Sequence, residues 1–163
     1  MESLEIILSQ GDKVWSGKEK EMLAEEKNTR YRELLERLTP QDILPGVEST
    51  MRELRMRGFR LAIGSSSRNT MRILERLGLD NWFDAVVDGT RIKRSKPDPE
   101  VFLLAAAELS LSPAECLVVE DADAGAQAAF AGGMDVACVG PAAQHNAGTY
   151  NLTAIDEILE ICQ

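Results

Sequence analysis

The first 43 residues place apolar positions at helical spacing and contain no strand pattern. Ser16 and Glu19 have the spacing of a capping box and predict the start of a long charged helix that runs through Leu38. A shorter amphipathic stretch precedes it and is interrupted at Gly11. The apolar positions of these two predicted helices are Leu4, Ile7, Leu8, Met22, Leu23, Tyr31, Leu34, Leu35 and Leu38. Residues 1–43 are therefore predicted to form a helical subdomain.

From residue 44 onward, short apolar runs alternate with amphipathic segments. The predicted strands are 59–63, 85–87, 117–119 and 136–139. The predicted helices are 47–57, 69–77, 98–109, 124–131 and 154–161, several of them bounded by glycine or proline. Alternation of helices with continuously apolar strands is typical of a parallel sheet that is covered on both faces. Residues 44–163 are therefore predicted to form an α/β Rossmann-like core.

The composition limits the classes of partner. The 163 residues carry a net charge of −9, which would repel the phosphates of a nucleic acid. No apolar run approaches the ~20 residues that span a bilayer, and the first residues lack the pattern of a signal peptide. We therefore expect a cytoplasmic protein with no nucleic-acid or membrane partner. Cys116, Cys138 and Cys162 are expected to be buried thiols, and the single histidine, His145, to be an exposed loop residue without a catalytic role.

Ligands of open α/β sheets gather beyond the carboxyl ends of the strands, and the first polar cluster lies there. Ser65, Ser66, Ser67, Arg68 and Asn69 follow the strand predicted to end at residue 63. Three hydroxyls beside the N–H groups of a starting helix suit a phosphate group. The same residues could instead serve only to cap that helix.

A second cluster is the basic stretch 91–99, which stands out in an acidic protein. Lys96 lies between Ser95 and Pro97, so its backbone is restricted and its side chain is directed. An ammonium group held in this way can stabilise a phosphoryl group during transfer and keep a carboxylate ionised. The alternative is a solvated basic loop.

The third cluster, Glu120 and Asp121, directly follows the strand predicted at 117–119. Carboxylates at the end of a strand are hard oxygen ligands that suit Mg²⁺. An acidic loop without a metal is the alternative for this cluster taken alone. Hydroxyls, lysine and carboxylates in this order, each on its own strand–helix unit, together indicate a phosphoryl-transfer site.

These motifs resemble a known family. A strand followed by serine, then Ser-Lys-Pro-Asp-Pro-Glu-Val-Phe, then Val-Val-Glu-Asp-Ala-Asp-Ala-Gly is similar to motifs two, three and four of the haloacid dehalogenase superfamily. The sequence Gly-Ser-Ser-Ser-Arg-Asn resembles the serine-rich motif of the β-phosphoglucomutases within it. The stretch around Lys27, Asn28 and Tyr31 resembles their cap helix, and Leu44-Pro45-Gly46 resembles the hinge from cap to core.

The resemblance implies a role for each candidate residue. Residues 1–43 would be a partial helical cap, in which Lys27 reaches the distal phosphate of the substrate. In the core, the implied phosphate- and substrate-binding residues are Ser65, Ser66, Ser67, Arg68 and Asn69. Lys96 would be the catalytic lysine of motif three. Asp121 would bind Mg²⁺ and Glu120 a water on that Mg²⁺.

The first motif of the family is missing from this sequence. That motif is an apolar strand ending in Asp-x-Asp-Gly, which provides the nucleophile and the general acid and base. Neither Asp12 nor Asp42 ends an apolar strand, and the pair Asp121 and Asp123 belongs to motif four. By the resemblance, the chain begins within the cap and lacks roughly 50 residues, about one βα unit with part of the cap. In this fold the first strand is central, so two inner strand edges would lack a partner and could pair with another chain.

The resemblance implies phosphoryl transfer on a small phosphorylated sugar, with Mg²⁺ as cofactor. The expected reaction is conversion of β-glucose 1-phosphate to glucose 6-phosphate through an aspartyl-phosphate, although the chain by itself is expected to be inactive. Two alternatives stay open. One is a sugar-phosphate phosphatase of the same superfamily, and the other is a non-catalytic remnant that binds a phosphosugar or a partner protein.

Overall fold

The computed structural model describes residues 15–163, which divide into two compact units between Leu38 and Thr39. The first unit contains helix α1 (Gly17–Leu35). The predicted capping box is confirmed: the Ser16 hydroxyl accepts a hydrogen bond from the Glu19 N–H, and the Glu19 carboxylate accepts one from the Ser16 N–H at 2.9 Å. The earlier amphipathic stretch lies outside the described residues.

Helix α1 is shorter and more exposed than its pattern predicts. It ends at Leu35 because the next turn tightens, with the N–H of Leu38 donating to the carbonyl of Leu35 at 3.1 Å. Of its predicted apolar positions only Leu35 is buried, whereas Met22 is 65% exposed.

No helix in the described part of the chain is long and apolar enough to cross a membrane. The identification of this unit as part of a cap stays a prediction.

The second unit alternates strands and helices, and the predicted α/β class is confirmed. Its strands are β1 (Ala62–Gly64), β2 (Ala85–Val87), β3 (Leu117–Glu120), β4 (Asp135–Cys138) and β5 (Tyr150–Asn151). Its α-helices are α2 (Val47–Met56), α3 (Thr70–Leu77), α4 (Glu100–Glu108), α5 (Asp123–Ala131), α6 (Gly140–Gln144) and α7 (Ile158–Ile161). Short 3₁₀ turns occur at Pro40–Asp42, Pro113–Glu115 and Ile155–Glu157.

The strands form two separate parallel sheets. β1 pairs with β2, and β3, β4 and β5 pair in that order. Among residues 15–163, β1 therefore has a strand neighbour only on the β2 side, and β3 only on the β4 side. The core lies where α4 and α5 pack on these strands, and its fully buried side chains include Val87, Val101, Val136 and Cys138.

Two predicted elements of the second unit differ from the structure, and two observed elements were not predicted. The first strand begins at Ala62 because the N–H of Phe59 closes the end of α2 by donating to the Leu54 carbonyl at 3.0 Å. The predicted last helix is divided, with a 3₁₀ turn over Ile155–Glu157 before α7. Helix α6 and strand β5 were not predicted, since each is too short to show a period.

All three cysteines are free thiols. Cys138 is buried, as predicted, whereas Cys116 and Cys162 are only half-buried. Burial raises the pKa of each of the three thiols, so less thiolate forms at a given pH.

We expect a thiol-specific disulfide reagent at pH 8 to modify the folded chain slowly, with Cys138 last. Cys138 is expected last because its side chain is fully buried, and the raised pKa of all three thiols lowers the thiolate fraction available for attack. The chain unfolded in guanidinium chloride should react rapidly at all three sites and serves as the control. Equally fast modification of Cys138 in folded and unfolded chain would contradict the prediction.

Candidate active site

The serine-rich loop between β1 and α3 is held in place by its own hydrogen bonds. The Ser65 N–H donates to the carbonyl of Val87 at 2.9 Å, which fixes the loop at the end of β2. The Ser65 hydroxyl accepts from the Ser67 N–H, and the Ser67 hydroxyl accepts from the Asn69 N–H, each at 3.1 Å. Each of these hydroxyls still has its own hydrogen to donate, so the loop can cap α3 and also bind a phosphate oxygen. Arg68 is exposed.

The loop after β2 supports the serine-rich loop from the other side. The Gly89 N–H donates to the carbonyl of Ser67 at 2.9 Å. A Cβ at Gly89 would lie 2.3 Å from the carbonyl oxygen of Ser66, so only glycine permits this approach. Gly89 was not predicted from the sequence. The available signal was the Asp88-Gly89 pair immediately after an apolar strand, which marks a tight backbone position.

Lys96 is directed into the core rather than into solvent. Its side chain is 18% exposed, and its Nζ forms an ion pair with the carboxylate of Glu120, which is 10% exposed. Nζ also lies 4.5 Å from the centroid of the Phe102 ring. The solvated-loop alternative is therefore wrong for Lys96.

Other cations of the same loop are neutralised locally. Arg94 forms an ion pair with Asp98 at 3.1 Å, and Arg91 forms one with Glu108. The hydrogen bond to Glu108 raises the pKa of Arg91. Because these arginines face carboxylates of their own loop and of α4, Lys96 is the basic residue of this stretch that reaches the end of β3.

The acidic cluster places two carboxylates differently. Glu120 is the last residue of β3 and faces Lys96, whereas Asp121 is exposed and its main-chain carbonyl accepts from the Ala142 N–H at 3.1 Å. A Cβ at Gly125 would lie 2.1 Å from the carboxyl carbon of Glu120. Gly125 therefore leaves the space that the Glu120 carboxylate occupies against the start of α5.

The acidic cluster has the type of ligand atom that Mg²⁺ prefers. Asp121 and Glu120 are adjacent oxygen donors, and the described residues contain no group of three or more candidate ligands. Mg²⁺ is commonly bound by one or two carboxylates together with water and substrate phosphate. Asp121 is the better donor of the two, because the Glu120 carboxylate is already paired with Lys96.

A second pair next to this cluster was not predicted. His145 is exposed, as predicted, in the turn that caps the carboxyl end of α6, and its Nδ1 lies 3.0 Å from the Asp123 carboxylate. Both side chains are about half-exposed or more. Asp123 is therefore turned toward His145, which agrees with its having no predicted role beside Asp121.

Lys96 contacts the acidic cluster directly, through Glu120. The serine-rich loop is connected to Lys96 through the ring of Phe102. Gly64, the residue before Ser65, packs so closely on Phe102 that a Cβ there would lie 2.8 Å from the ring. Lys96, which is paired with Glu120, lies over the same Phe102 ring. Lys27 is exposed on α1 in the first unit.

We expect Gly125→Ala to destabilise the second unit by about 1–3 kcal/mol. Alanine favours a helix over glycine by about 0.5–1 kcal/mol, but its methyl group would displace the Glu120 carboxylate and disturb its pairing with Lys96. Urea denaturation measures the effect.

The matched control is the same substitution in a Glu120→Ala background. The displaced carboxylate is then absent, so Gly125→Ala should become stabilising by about 0.5–1 kcal/mol. The same sign in both backgrounds would show that the contact with Glu120 is unimportant.

Comparisons with known proteins identify relatives of this chain. The chain is 43% identical over 141 residues to β-phosphoglucomutase of Bacillus subtilis, covering 85% of this chain and 62% of that protein. It is 41% identical over 113 residues to the fructose-1-phosphate phosphatase YqaB of Escherichia coli, covering 69% of this chain and 59% of the relative. The chain thus spans about three fifths of the length of these two relatives.

A solved structure extends the likeness to the fold. The crystal structure of β-phosphoglucomutase from Clostridium difficile superposes with a TM-score of 0.88 at 33% identity, covering 99% of this chain and 75% of that one. Residues 3–133 also match the family described as haloacid dehalogenase-like hydrolases. The resemblance seen in motifs two to four is therefore confirmed, and this chain belongs to the haloacid dehalogenase-like hydrolase family.

Proposed function

We propose that this chain provides most of a phosphoryl-transfer site for a sugar phosphate, most like that of a β-phosphoglucomutase. The reaction would convert β-glucose 1-phosphate to glucose 6-phosphate through an aspartyl-phosphate. The observation that carries the proposal is Lys96, a barely exposed cation held on Glu120 at the carboxyl end of β3. Similarity to a β-phosphoglucomutase and to a sugar-phosphate phosphatase supports this substrate class.

Each residue has a proposed task. The Ser65 hydroxyl and the N–H of Ser66 bind oxygens of the transferring phosphoryl group. Lys96 offsets the negative charge that collects on those oxygens and on the attacking carboxylate. The substrate-facing residues are Ser67, Arg68 and Asn69 at the start of α3, with Lys27 of the first unit for the second phosphate.

The bond changes require an aspartate pair that the sequence does not contain. One carboxylate oxygen forms a bond to phosphorus as the bond from phosphorus to the sugar oxygen breaks, and the second carboxyl group gives that oxygen a proton. In a mutase, a hydroxyl at another position of a sugar phosphate then attacks the phosphorus, the bond from phosphorus to the aspartate oxygen breaks, and the hydroxyl proton goes to the second carboxylate. Magnesium, held by Asp121 and by a water on Glu120, would supply further charge stabilisation.

A phosphatase is the second candidate, and the similarity to the fructose-1-phosphate phosphatase favours it. The chemistry up to the phosphorylated aspartate is the same in both enzymes. They differ in whether water or a sugar hydroxyl attacks next, which depends on closure over the site. A third candidate is a non-catalytic protein that binds a phosphosugar or a partner protein without turnover.

The test uses the chain extended at Met1 with the first strand, Asp-x-Asp-Gly loop and cap helix of a β-phosphoglucomutase, called the extended protein below. It is incubated with β-glucose 1-phosphate and Mg²⁺, and glucose 6-phosphate and free phosphate are measured separately. The mutase proposal predicts glucose 6-phosphate as the main product.

The other products decide between the remaining candidates. Release of free phosphate in place of glucose 6-phosphate would identify a phosphatase and contradict the mutase reaction. If the extended protein folds but turns over none of the hexose phosphates tested, the phosphoryl-transfer proposal is wrong and the non-catalytic candidate is favoured.

A further inference from the structure

The turn that follows β2 contains a carboxylate to which the proposed function gives no task. Asp88 is 8% exposed, which makes it more buried than any other charged residue in the described part of the chain. The N–H of Arg91 donates to the Asp88 carbonyl at 3.0 Å and closes a turn over residues 88–91, called the β2 turn below. Burying a carboxylate costs free energy unless hydrogen-bond donors compensate it, so the contacts of Asp88 indicate its role.

The Asp88 carboxylate is bonded within the β2 turn. Its Oδ1 accepts a hydrogen bond from the Thr90 N–H at 2.8 Å and a second one from the Thr90 hydroxyl at 2.5 Å. An aspartate that accepts from the main chain two residues further on fixes the conformation of a turn. The direction of the intervening Gly89 N–H therefore depends on the Asp88 side chain.

The Gly89 N–H connects the β2 turn to the serine-rich loop. It donates to the Ser67 carbonyl at 2.9 Å, and a Cβ on Gly89 would lie 2.3 Å from the Ser66 carbonyl oxygen. The Ser67 carbonyl accepts a second hydrogen bond, at 2.9 Å, from the hydroxyl of Thr70, which is 5% exposed. A carbonyl oxygen has two lone pairs, so both are used and the peptide between Ser67 and Arg68 is fixed.

Fixing that peptide orients a donor on its opposite side. In a trans peptide the N–H points away from the carbonyl, so the Arg68 N–H is directed away from the β2 turn. The N–H groups of Ser65, Ser67 and Asn69 are bonded to the main chain of β2 or to serine hydroxyls. Those of Ser66 and Arg68 have no acceptor within residues 15–163. They are therefore the main-chain donors of this loop that are available to an anion.

We infer that Asp88 is a positioning residue of the serine-rich loop. By bonding Thr90 it fixes the β2 turn, whose Gly89 N–H holds the Ser67 carbonyl. The Arg68 N–H is then oriented toward a phosphoryl oxygen before binding, which avoids the cost of ordering it on binding. The inference rests on the proposed function, in which this loop binds the phosphoryl group. Asp88 acts through the loop and does not itself touch the substrate.

The test is a titration of the full 163-residue chain with inorganic phosphate, read by NMR at each main-chain amide. In the parent chain the Ser66 and Arg68 amide signals should shift and saturate. Asp88→Ala should raise the Kd for phosphate about three- to tenfold, the loss expected for about one hydrogen bond. It should also speed hydrogen exchange of the Gly89 N–H about tenfold, because the hydrogen bond from Gly89 to Ser67 opens more often.

Conservative variants separate the hydrogen bonds of Asp88 from its charge. Asp88→Asn keeps an oxygen acceptor for both Thr90 donors, so it should keep the parent's Kd and the parent's Gly89 exchange. Thr90 is exposed, so Thr90→Val removes one donor without disturbing the core and should weaken phosphate binding about threefold. Thr90→Ser restores the hydroxyl and should restore the parent's affinity. This pair of Thr90 variants provides the test if Asp88→Ala does not fold.

Glu115 provides a matched control at the amino end of β3. Its Oε2 accepts from the N–H and the hydroxyl of Ser112 at 2.9 and 2.6 Å, the same kinds of donor that Thr90 gives Asp88. Glu115 precedes β3, whereas the serine-rich loop follows the carboxyl end of β1. Glu115→Ala should therefore destabilise the chain without changing the Kd for phosphate or the exchange of the Gly89 N–H.

Three outcomes would overturn the inference: an unchanged Kd for phosphate in Asp88→Ala, an Asp88→Asn variant as weak as Asp88→Ala, or an equal loss in Glu115→Ala. The last would mean that stability rather than position controls binding. If the parent chain shows no phosphate response, the proposed phosphate site is wrong, and Gly89 exchange alone tests the role of Asp88. Faster exchange in Asp88→Ala with parent-like exchange in Asp88→Asn would then support the inference, and unchanged exchange would reject it.

Discussion

Replacing Lys96 by alanine in the extended protein should lower turnover of β-glucose 1-phosphate by about 10²–10³-fold. Its ammonium group is directed at the carboxyl end of β3 by pairing with Glu120 and by the Phe102 ring, and it is only 18% exposed. A cation in such a shielded position stabilises developing negative charge far more than one in water. The measurement is the turnover rate at saturating sugar phosphate and Mg²⁺.

Loss of activity through unfolding must be separated from loss of charge. Lys96→Ala leaves Glu120 unpaired with little exposure, which is expected to cost about 3–5 kcal/mol of stability. Adding Glu120→Gln removes the isolated charge, so the double variant should regain stability while turnover stays low. Lys93→Ala, an exposed lysine of the same loop, should keep near-normal turnover. A stable double variant with near-normal turnover would show that Lys96 has only a structural role.

Replacing Asp121 by asparagine in the extended protein should remove Mg²⁺-dependent turnover, a loss of at least about a hundredfold. Asp121 is the exposed carboxylate at the end of β3, and Asn keeps its shape while removing the charge that attracts the ion. The measurement is the turnover rate as a function of Mg²⁺ concentration.

Asp123 provides the matched control two residues away. Its carboxylate faces His145 at 3.0 Å, so Asp123→Asn should leave the Mg²⁺ dependence unchanged. A similar loss in both variants would mean that the general negative charge of this loop matters rather than one ligand. An unaffected Asp121→Asn variant would remove Asp121 from the proposed metal site.

The order of elements in the second unit could be predicted because strong local signals bound them. Gly58 and Gly78 end helices, and continuous apolar runs mark the strands between them. The bounds of β1 could not be predicted, because the main chain of Phe59 is used to close α2. The division of the strands into two sheets could not be predicted either, because the hydrophobic pattern shows which residues form a strand but not which strands pair.

The candidate site was only partly predictable for a related reason. Its serine, lysine and carboxylate residues are visible as polar clusters, each of which alone could be a helix cap or a solvated loop. What distinguishes them is contact between elements far apart in sequence, such as the pairing of Lys96 with Glu120. The roles of Gly89 and Gly125 are visible only in the structure, where a Cβ at either position would overlap a neighbouring residue.

The proposed site combines the phosphoryl-binding residues of this chain with an Asp-x-Asp-Gly nucleophile. The most direct test is one turnover assay on three proteins: the 163-residue chain, the extended protein, and the extended protein with the first Asp of Asp-x-Asp-Gly changed to Asn. We expect Mg²⁺-dependent turnover of β-glucose 1-phosphate by the second protein alone. Sustained turnover by the chain itself, or by a folded Asn variant at the rate of its parent, would contradict it.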